Sequence, residues 1–447
     1  MISKLMIIWG VCLGFLIKSN AQDTIVFSLQ LAEDFGVEHN YNIKNTQLEI
    51  EKAQKKVWET IAIGLPQVKA DGQFQNMIDI PTSVVDATLF NPLAPPGTLM
   101  EFQMGQQYNM SGTITANQLI FDGSYIVGLQ FSKFYKKIAQ TNADKTTAEI
   151  KVLIREAYYN VLVAHKNVDL MDSILVSTKE MWEQTKIFYN NGFVLKEKVD
   201  QMELTYNRIV QQKKSAAYQL SIAKNLLKLQ MGYELSKEIV LTENLDEVLN
   251  GVLTSNPALK TLNLDDNYNY KLQSQQMELD KYALKNEKAK YLPSVGAFMT
   301  HSQNAFRGEF DFFDGDKSWY PTTVIGIGVS IPITSSGQKI MKVKQAEIKI
   351  EQDYNNLLQT EQALKFQDYQ LKTSFTNAYE TMLLEKKNVA LAQSIYKNSL
   401  QRKNEGVIDA LKVTQVQTQL LQAEGAYINA IMQVLKYKIE LDKLHNK

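Results

Sequence analysis

Four histidines, His39, His165, His301 and His445, are the first place to look for metal or acid–base chemistry, and they lie far apart along the chain. None of them forms a ligand-spaced pair, so a zinc centre is not indicated. Asp311, Asp314 and Asp316 stand close enough together to take a divalent cation. Their spacing is not that of an EF-hand loop, and a solvated acidic loop accounts for them. Gly326-Ile327-Gly328 supplies the first two glycines of a dinucleotide fingerprint. The third is missing, and the stretch alternates like a strand, where small residues against a packed or luminal surface explain the pattern. There is no nucleophile elbow, metalloprotease motif or phosphate loop. Neither catalysis nor a cofactor nor a bound metal is expected.

The informative pattern is the arrangement of elements, and it is written twice. Gly64-Leu65-Pro66-Gln67-Val68 recurs as Tyr291-Leu292-Pro293-Ser294-Val295, 227 positions later. A polar helical pattern precedes each Leu-Pro and an alternating one follows. Proline blocks helix continuation and biases its predecessor towards extended backbone, so Pro66 and Pro293 read as helix-to-strand junctions. Ala157-Tyr158 and Lys166-Asn167-Val168 recur as Ala378-Tyr379 and Lys387-Asn388-Val389 at an offset of 221, and Asn191-Gly192 pairs with Glu405-Gly406 at 214. The difference is one heptad, which reads as a deletion that keeps a coiled-coil seam in register.

At the N-terminus Lys4 precedes an apolar run, Leu5 to Ile17, and then Ser19-Asn20-Ala21. Thirteen residues are too few to cross a bilayer as a helix, and the pattern is that of a secretory signal over residues 1–21. Its removal takes away Cys12, the only cysteine, and leaves 46 basic residues against 48 acidic. A net charge of about −2 gives no reason to expect nucleic acid. No later apolar run is long enough for a transmembrane helix, so an exported chain of this kind is secreted, periplasmic or inserted as a β-barrel.

Apolar residues then step by three and four through Val199, Met202, Tyr206, Ile209, Ala216, Leu220, Ala223 and Leu227, with Lys213 interrupting. The second copy runs Val413, Val416, Leu420, Ala423, Tyr427, Ala430, Val434, Tyr437, Leu441. This is the seam of a left-handed coiled coil. Before each tip glycine lies another proline-free helical stretch, about 124–189 and 338–403. Roughly 65 residues of helix would extend about 100 Å. Gly192 and Gly406 therefore mark the turns of long hairpins, about 124–230 and 338–444.

Four segments alternate as half-buried strands, about 67–80, 106–120, 293–304 and 321–333, in lengths that suit tilted membrane strands. Four strands cannot close a barrel, and lipid does not tolerate an open edge. Either the strands form a small soluble sheet, or several chains pool them, three chains giving twelve.

Helix, Leu-Pro, strand pair and long hairpin with a tip glycine, all repeated, resemble the TolC-type outer-membrane efflux family over essentially the whole mature chain. The residues that carry the resemblance are both Leu-Pro-x-Val motifs, Leu119-Ile120-Phe121-Asp122-Gly123, and the tips Tyr189-Asn190-Asn191-Gly192-Phe193 and Lys403-Asn404-Glu405-Gly406-Val407. Asn256-Pro257-Ala258-Leu259 is similar to the family's opening of the second-half helix. The resemblance implies a mainly α chain with membrane β: a first repeat at 22–250, a second at 251–447, and two coiled-coil hairpins with four membrane strands. It further implies a homotrimer with a 12-stranded β-barrel in outer-membrane lipid of a Gram-negative bacterium and a periplasmic α-barrel. The partners implied are a periplasmic adaptor and an inner-membrane pump, and the function is a passive exit duct for efflux or type I secretion.

Under that resemblance Gly192, Phe193, Val194, Gly406, Val407 and Ile408 are candidates for adaptor contact. The alternative is that each glycine only supplies a turn and its neighbours only pack the tip. Where relatives often carry aspartates near the periplasmic aperture, this chain has Lys198, Gln201, Lys412 and Gln415, which would make a constriction there basic or neutral; otherwise they are solvated flanks. Asn256 to Pro293 also spans 37 residues against 26 from Asn40 to Pro66. The excess is about three helical turns. The rival function is a periplasmic coiled-coil tether without a pore, and such a protein needs no membrane strands.

Overall fold

The computed structural model describes residues 25–255 and 257–446. The signal segment 1–21 and Asn256 lie outside the described residues. In chain order the elements are β1 (Ile25–Phe27), α1 (Leu29–His39), α2 (Tyr41–Ile63), β2 (Gln67–Asn76), β3 (Thr82–Asp86), β4 (Leu99–Gln103), β5 (Tyr108–Phe121), α3 (Gly123–Asn190) and α4 (Lys196–Met231). There follow β6 (Ile239–Leu241), α5 (Leu245–Ser255), α6 (Tyr268–Ala289), β7 (Ser294–Arg307), β8 (Tyr320–Ser330), α7 (Gln338–Asn404) and α8 (Ala410–Leu444). No described helix is apolar and long enough to cross a membrane.

Two compact units divide the chain, one made of residues up to 45, 145–263 and 364 onward, the other of 46–144 and 264–363. Each takes segments from both sequence repeats, so compactness and duplication follow different boundaries.

The second unit holds a four-stranded sheet in the order β2-β5-β7-β8, every neighbour antiparallel. Pro66 and Pro293 are the last residues of the short gaps, three and four residues long, where α2 gives way to β2 and α6 to β7. The cross-strand register sorts side chains by face, because successive residues point to opposite sides. One row reads Val68, Ala116, Met299, Ile325; the next row on the opposite face reads Lys69, Thr115, Thr300, Val324. Two residues on, the polar face reads Asp71, Thr113, Ser302, Thr322 and then Gln73, Ser111, Asn304, Tyr320. The Thr113 and Ser302 hydroxyls lie 3.1 Å apart. The apolar face is left open: Ile325, Ile327 and Val329 are 74%, 70% and 60% exposed. The outer edges of β2 and β8 pair with no other described strand. Between β2 and β5 lies an antiparallel hairpin, β3 with β4, that sequence alternation did not single out.

Gly326 belongs to this sheet and not to a nucleotide loop. A Cβ there would come within 2.7 Å of the Phe298 ring, which crosses the strand onto the bare glycine. Asp311 is taken up by Arg307 and Lys317, and Asp314 accepts the Asp316 amide (3.1 Å). The histidines are likewise dispersed: His39 stacks on Phe35, His165 meets Asp169, His301 meets Thr323 and His445 meets Asp368.

The first unit is built on the coiled-coil faces of the hairpins together with α1, α5 and the parallel pair β1–β6. Fully buried Tyr158, Ile154, Leu227, Ile431 and Leu435 fill its core. The Tyr158 hydroxyl bonds to the Phe27 carbonyl (3.1 Å) and to Glu243, whose carboxylate also accepts the Leu29 amide that opens α1. Arg155 joins two buried acids, Glu33 at 2.9 Å and Asp442 at 3.1 Å. The seam residues Val199, Met202, Ile209, Ala216 and Leu227 are buried, as are Val413, Val416, Ala430, Val434 and Leu441. Lys213, which interrupts the seam, reaches Asp172 at 2.5 Å.

Two readings of the repeat are corrected. The first concerns the heptad deletion. α3 and α7 are 68 and 67 residues long and end at the matching tips, so no net heptad is lost between helix start and tip. The 221 offset is a local shift, and because it equals one heptad it still puts Ala157 and Ala378 into the same core. The second concerns the helix after Asn256. α6 opens at Asn267, not near Asn256, and is 22 residues long against 23 for α2. Asn40 and Asn267 are the equivalent caps: each is buried, and each side-chain oxygen accepts the amide two residues on, at 2.8 Å from Asn42 and 3.0 Å from Asn269. The extra residues are not helical turns added to α6 but lie in the short 3₁₀ turns before it.

Candidate functional site

The two hairpin turns share one backbone device. Gly192 and Gly406 have φ of 76° and 74°, the left-handed conformation that glycine adopts without a Cβ penalty. At the first, the Gly192 amide bonds to the Tyr189 carbonyl (2.9 Å) and the Phe193 amide to the Phe188 carbonyl (2.9 Å). At the second, Gly406 bonds to Lys403 (3.0 Å) and Val407 to Arg402 (2.9 Å). These are Schellman terminations, which satisfy carbonyls left over at a helix C-terminus. The usual apolar contact is present at the first tip, where the Phe188 and Phe193 rings meet edge to face at 6.4 Å.

The returning helices start differently. Asp409 caps α8, its Oδ1 accepting the Lys412 amide at 2.9 Å. Leu195 stands at the matching position of α4 and offers no side-chain cap. Asp409 has a second use: its Oδ2 lies 3.3 Å from Lys198 Nζ, an ion pair between the start of α4 and the start of α8. Lys403, at the end of α7, donates to Gln184 Oε1 on α3. Burial holds the Lys403 ammonium below its ordinary pKa, against the opposing pull of Glu180.

Beneath these contacts Met181, Met202 and Val413 form a small buried core, with Ile408 and Trp182 packed on it. A cleft of about 560 Å³ opens beside it, lined by Phe188, Val194, Lys198, Lys403, Ile408 and Asp409 among others. Further along the hairpins the Ser177 and Tyr396 hydroxyls lie 2.6 Å apart, and Thr178 Oγ1 is 3.2 Å from Gln417 Oε1. The tip therefore combines a thin apolar core with polar links between hairpins, which can be exchanged without opening a large apolar surface.

The named tip residues separate into two groups. Phe193 and Val407 project outward, 78% and 58% exposed. Val194 and Ile408 are half-buried and line the cleft. Of the four aperture candidates, Lys198 is paired with Asp409, Gln201 Nε2 donates to Glu197 (3.1 Å), and Lys412 Nζ donates to Gln415 (3.0 Å). Sequence reasoning missed Asp409 and Gln184 and named Lys403 only as part of the tip motif. Asp409 alone had a signal, an aspartate immediately before a helical run.

Comparison with known proteins agrees with this architecture. The chain aligns with a structure of CusC at a TM-score of 0.70, 13% identity, over 94% of this chain and 92% of that one. The CmeC outer membrane channel of Campylobacter jejuni gives 0.67 and 14%, covering 93% and 85%. The open state of the MtrE outer membrane channel of Neisseria gonorrhoeae gives 0.68 and 15%, covering 93% and 88%. No curated protein sequence matches the chain. Residues 268–447 match the model of the outer membrane efflux protein family. The family match thus covers the second half of the chain, and the chain as a whole carries the fold seen in structures of outer membrane channels.

Proposed function

We propose that the protein is the outer-membrane exit duct of an efflux or secretion system of a Gram-negative bacterium, a passive conduit and not an enzyme. The two-faced sheet carries this reading. Its apolar face is exposed and its other face is lined with Lys, Asp, Gln, Thr and Ser, as a wall between lipid and water requires. Edges left open on both sides need partners in lipid, and three copies pairing β8 with β2 of the next would close a barrel of twelve strands. A periplasmic tether has no use for such a sheet.

In this reading the hairpin tips face a periplasmic adaptor, with Gly192, Phe193, Val194, Gly406, Val407 and Ile408 at the contact and an inner-membrane pump supplying energy. The exposed Phe193 and Val407 support a docking role, and the links Lys198–Asp409 and Lys403–Gln184 suit a latch that adaptor binding rearranges. With Lys198 neutralised by Asp409, Lys412 would be the one charge among the four candidates at the aperture.

Reconstitution into planar bilayers tests the duct. Stepwise single-channel conductance from heat-modifiable trimers is expected. Protein that stays in the soluble fraction and conducts nothing would sink the reading.

A further inference from the structure

α6 and α7 are joined by a charged cluster that plays no part in the tips or the sheet. Asp353 of α7 is only 1% exposed. Its Oδ1 receives Lys349 Nζ at 2.5 Å, while its Oδ2 is buried with no donor. The same ammonium lies 3.8 Å from Asp280 Oδ2 on α6, which also accepts from Gln276 Nε2 at 3.2 Å. One lysine therefore serves two carboxylates that face each other across the helix pair. From α3, Thr141 accepts from Gln275 (3.0 Å), and Phe134, whose ring carries the Lys137 ammonium at 5.9 Å, lies against Tyr282 (5.6 Å). The charges acting on the two acids are each other and Lys349. A second link between the helices, Lys288 to Glu347 at 3.5 Å, is an ordinary exposed pair.

We propose that Asp280 and Asp353 form a proton-binding clasp, in which a proton taken up by Asp280 is donated to the buried Oδ2 of Asp353 and draws α6 and α7 together. Two neighbouring carboxylates cannot both ionise without repulsion, and a carboxylic acid bonded to a carboxylate satisfies both. Burial, and then the hydrogen bond shared with Asp353, raise Asp280 above the ordinary carboxylate range. Burial alone would raise Asp353 too, but the bonds from Asp280 and Lys349 outweigh it and hold it low. The stabilisation from Asp280 is complete below the unfolded value of 3.8 and is lost as pH rises through its raised folded value. That from Asp353 runs the other way and fails only in stronger acid. The clasp therefore tightens as pH falls and loosens as pH rises through that raised value.

Thermal unfolding of the full-length protein in detergent, followed from pH 5 to pH 8 with and without Mg²⁺, tests this directly. Asp280→Asn places a permanent donor against Asp353 Oδ2. It is expected to melt higher than wild type at pH 8, with the difference shrinking towards pH 5. Asp353→Asn, which removes the shorter of the two carboxylate contacts of Lys349 and leaves only the 3.8 Å contact with Asp280, is expected to melt lower than wild type at pH 8. An Asp280→Asn protein that melts lower at pH 8, or a difference that does not change with pH, overturns the clasp. So does a wild-type melting point that Mg²⁺ raises and Asp280→Asn abolishes, since the ligand would then be a metal ion. Melting reads helix pairing itself, so the outcome does not depend on whether the chain conducts.

Discussion

Lys198 and Asp409 meet at 3.3 Å although 211 residues separate them, and the same aspartate caps the helix that starts beside it. One side chain thus starts α8 and fastens it to α4. Asp409→Ala loses both roles, and Asp409→Asn keeps the cap and loses the ion pair. Loss of an N-cap costs about 1 kcal/mol, and an exposed pair contributes about 0–1 kcal/mol. Amide hydrogen exchange around 405–412 should accelerate strongly in Asp409→Ala and slightly in Asp409→Asn. Equal acceleration in the two variants would assign the effect to the charge instead.

Both tips depend on a left-handed residue. Gly192→Ala and Gly406→Ala should each destabilise locally by about 1–2 kcal/mol, the penalty for a Cβ in that region. Asparagine at either position should be milder. The measurement is protease sensitivity of the tip, and alanine variants as resistant as wild type would show that the turn relaxes at no cost.

Within the sheet, Gly326 yields to Phe298. Overpacking of this kind typically costs about 1–3 kcal/mol, so Gly326→Val should lower the melting temperature, and Phe298→Ala in the same chain should recover part of the loss. Additive effects from the two substitutions would mean that the ring does not need the space.

The two faces predict opposite tolerances. A lysine at Ile327, on the apolar face, should cost about 2–4 kcal/mol if that face meets the bilayer midplane, whereas Thr300→Lys on the polar face should be nearly neutral. Yield of trimer in the outer-membrane fraction distinguishes them. Loss of both variants alike would count against the assignment of faces.

Arg155 holds Glu33 and Asp442 where neither acid reaches water easily. Arg155→Met strands the buried Glu33 carboxylate and leaves Asp442 to Lys438 alone, and should cost about 3–5 kcal/mol, while apolar residues of similar size at both Arg155 and Glu33 should restore much of it. Denaturant titration reads the difference.

The sequence displayed the long helices, the strands and the tip glycines because each has a strong local cause: a heptad seam, strict alternation, a residue able to adopt positive φ. Pro66 and Pro293 were legible for the same reason. The start of α6 was misjudged although the signal was printed in the chain, since Asn40-Tyr41-Asn42 recurs as Asn267-Tyr268-Asn269 at the same 227 offset as the Leu-Pro marks. The proline after Asn256 drew attention away from it. What could not be read was partnership across long separations. Nothing local to Lys198 says that Asp409 faces it, and nothing near Asp280 points to Asp353. The face on which Gly326 lies is fixed only by the register of two strands, and that register is a tertiary fact.

The middle of the sheet is the pairing of β5 with β7, where Ile114 lies opposite His301 and each repeat supplies one strand. During synthesis the first repeat can wind α3 back against α4 long before any partner for the free side of β5 exists. Its strand pair must wait, with one edge bare, until residue 307 has left the ribosome. Helical hairpins with local contacts form quickly and distant strand pairings slowly, so the order of events is dictated by chain order as much as by stability. Whatever shields β5 and its apolar side chains in that interval, a chaperone or the transit itself, becomes part of how this chain reaches its sheet.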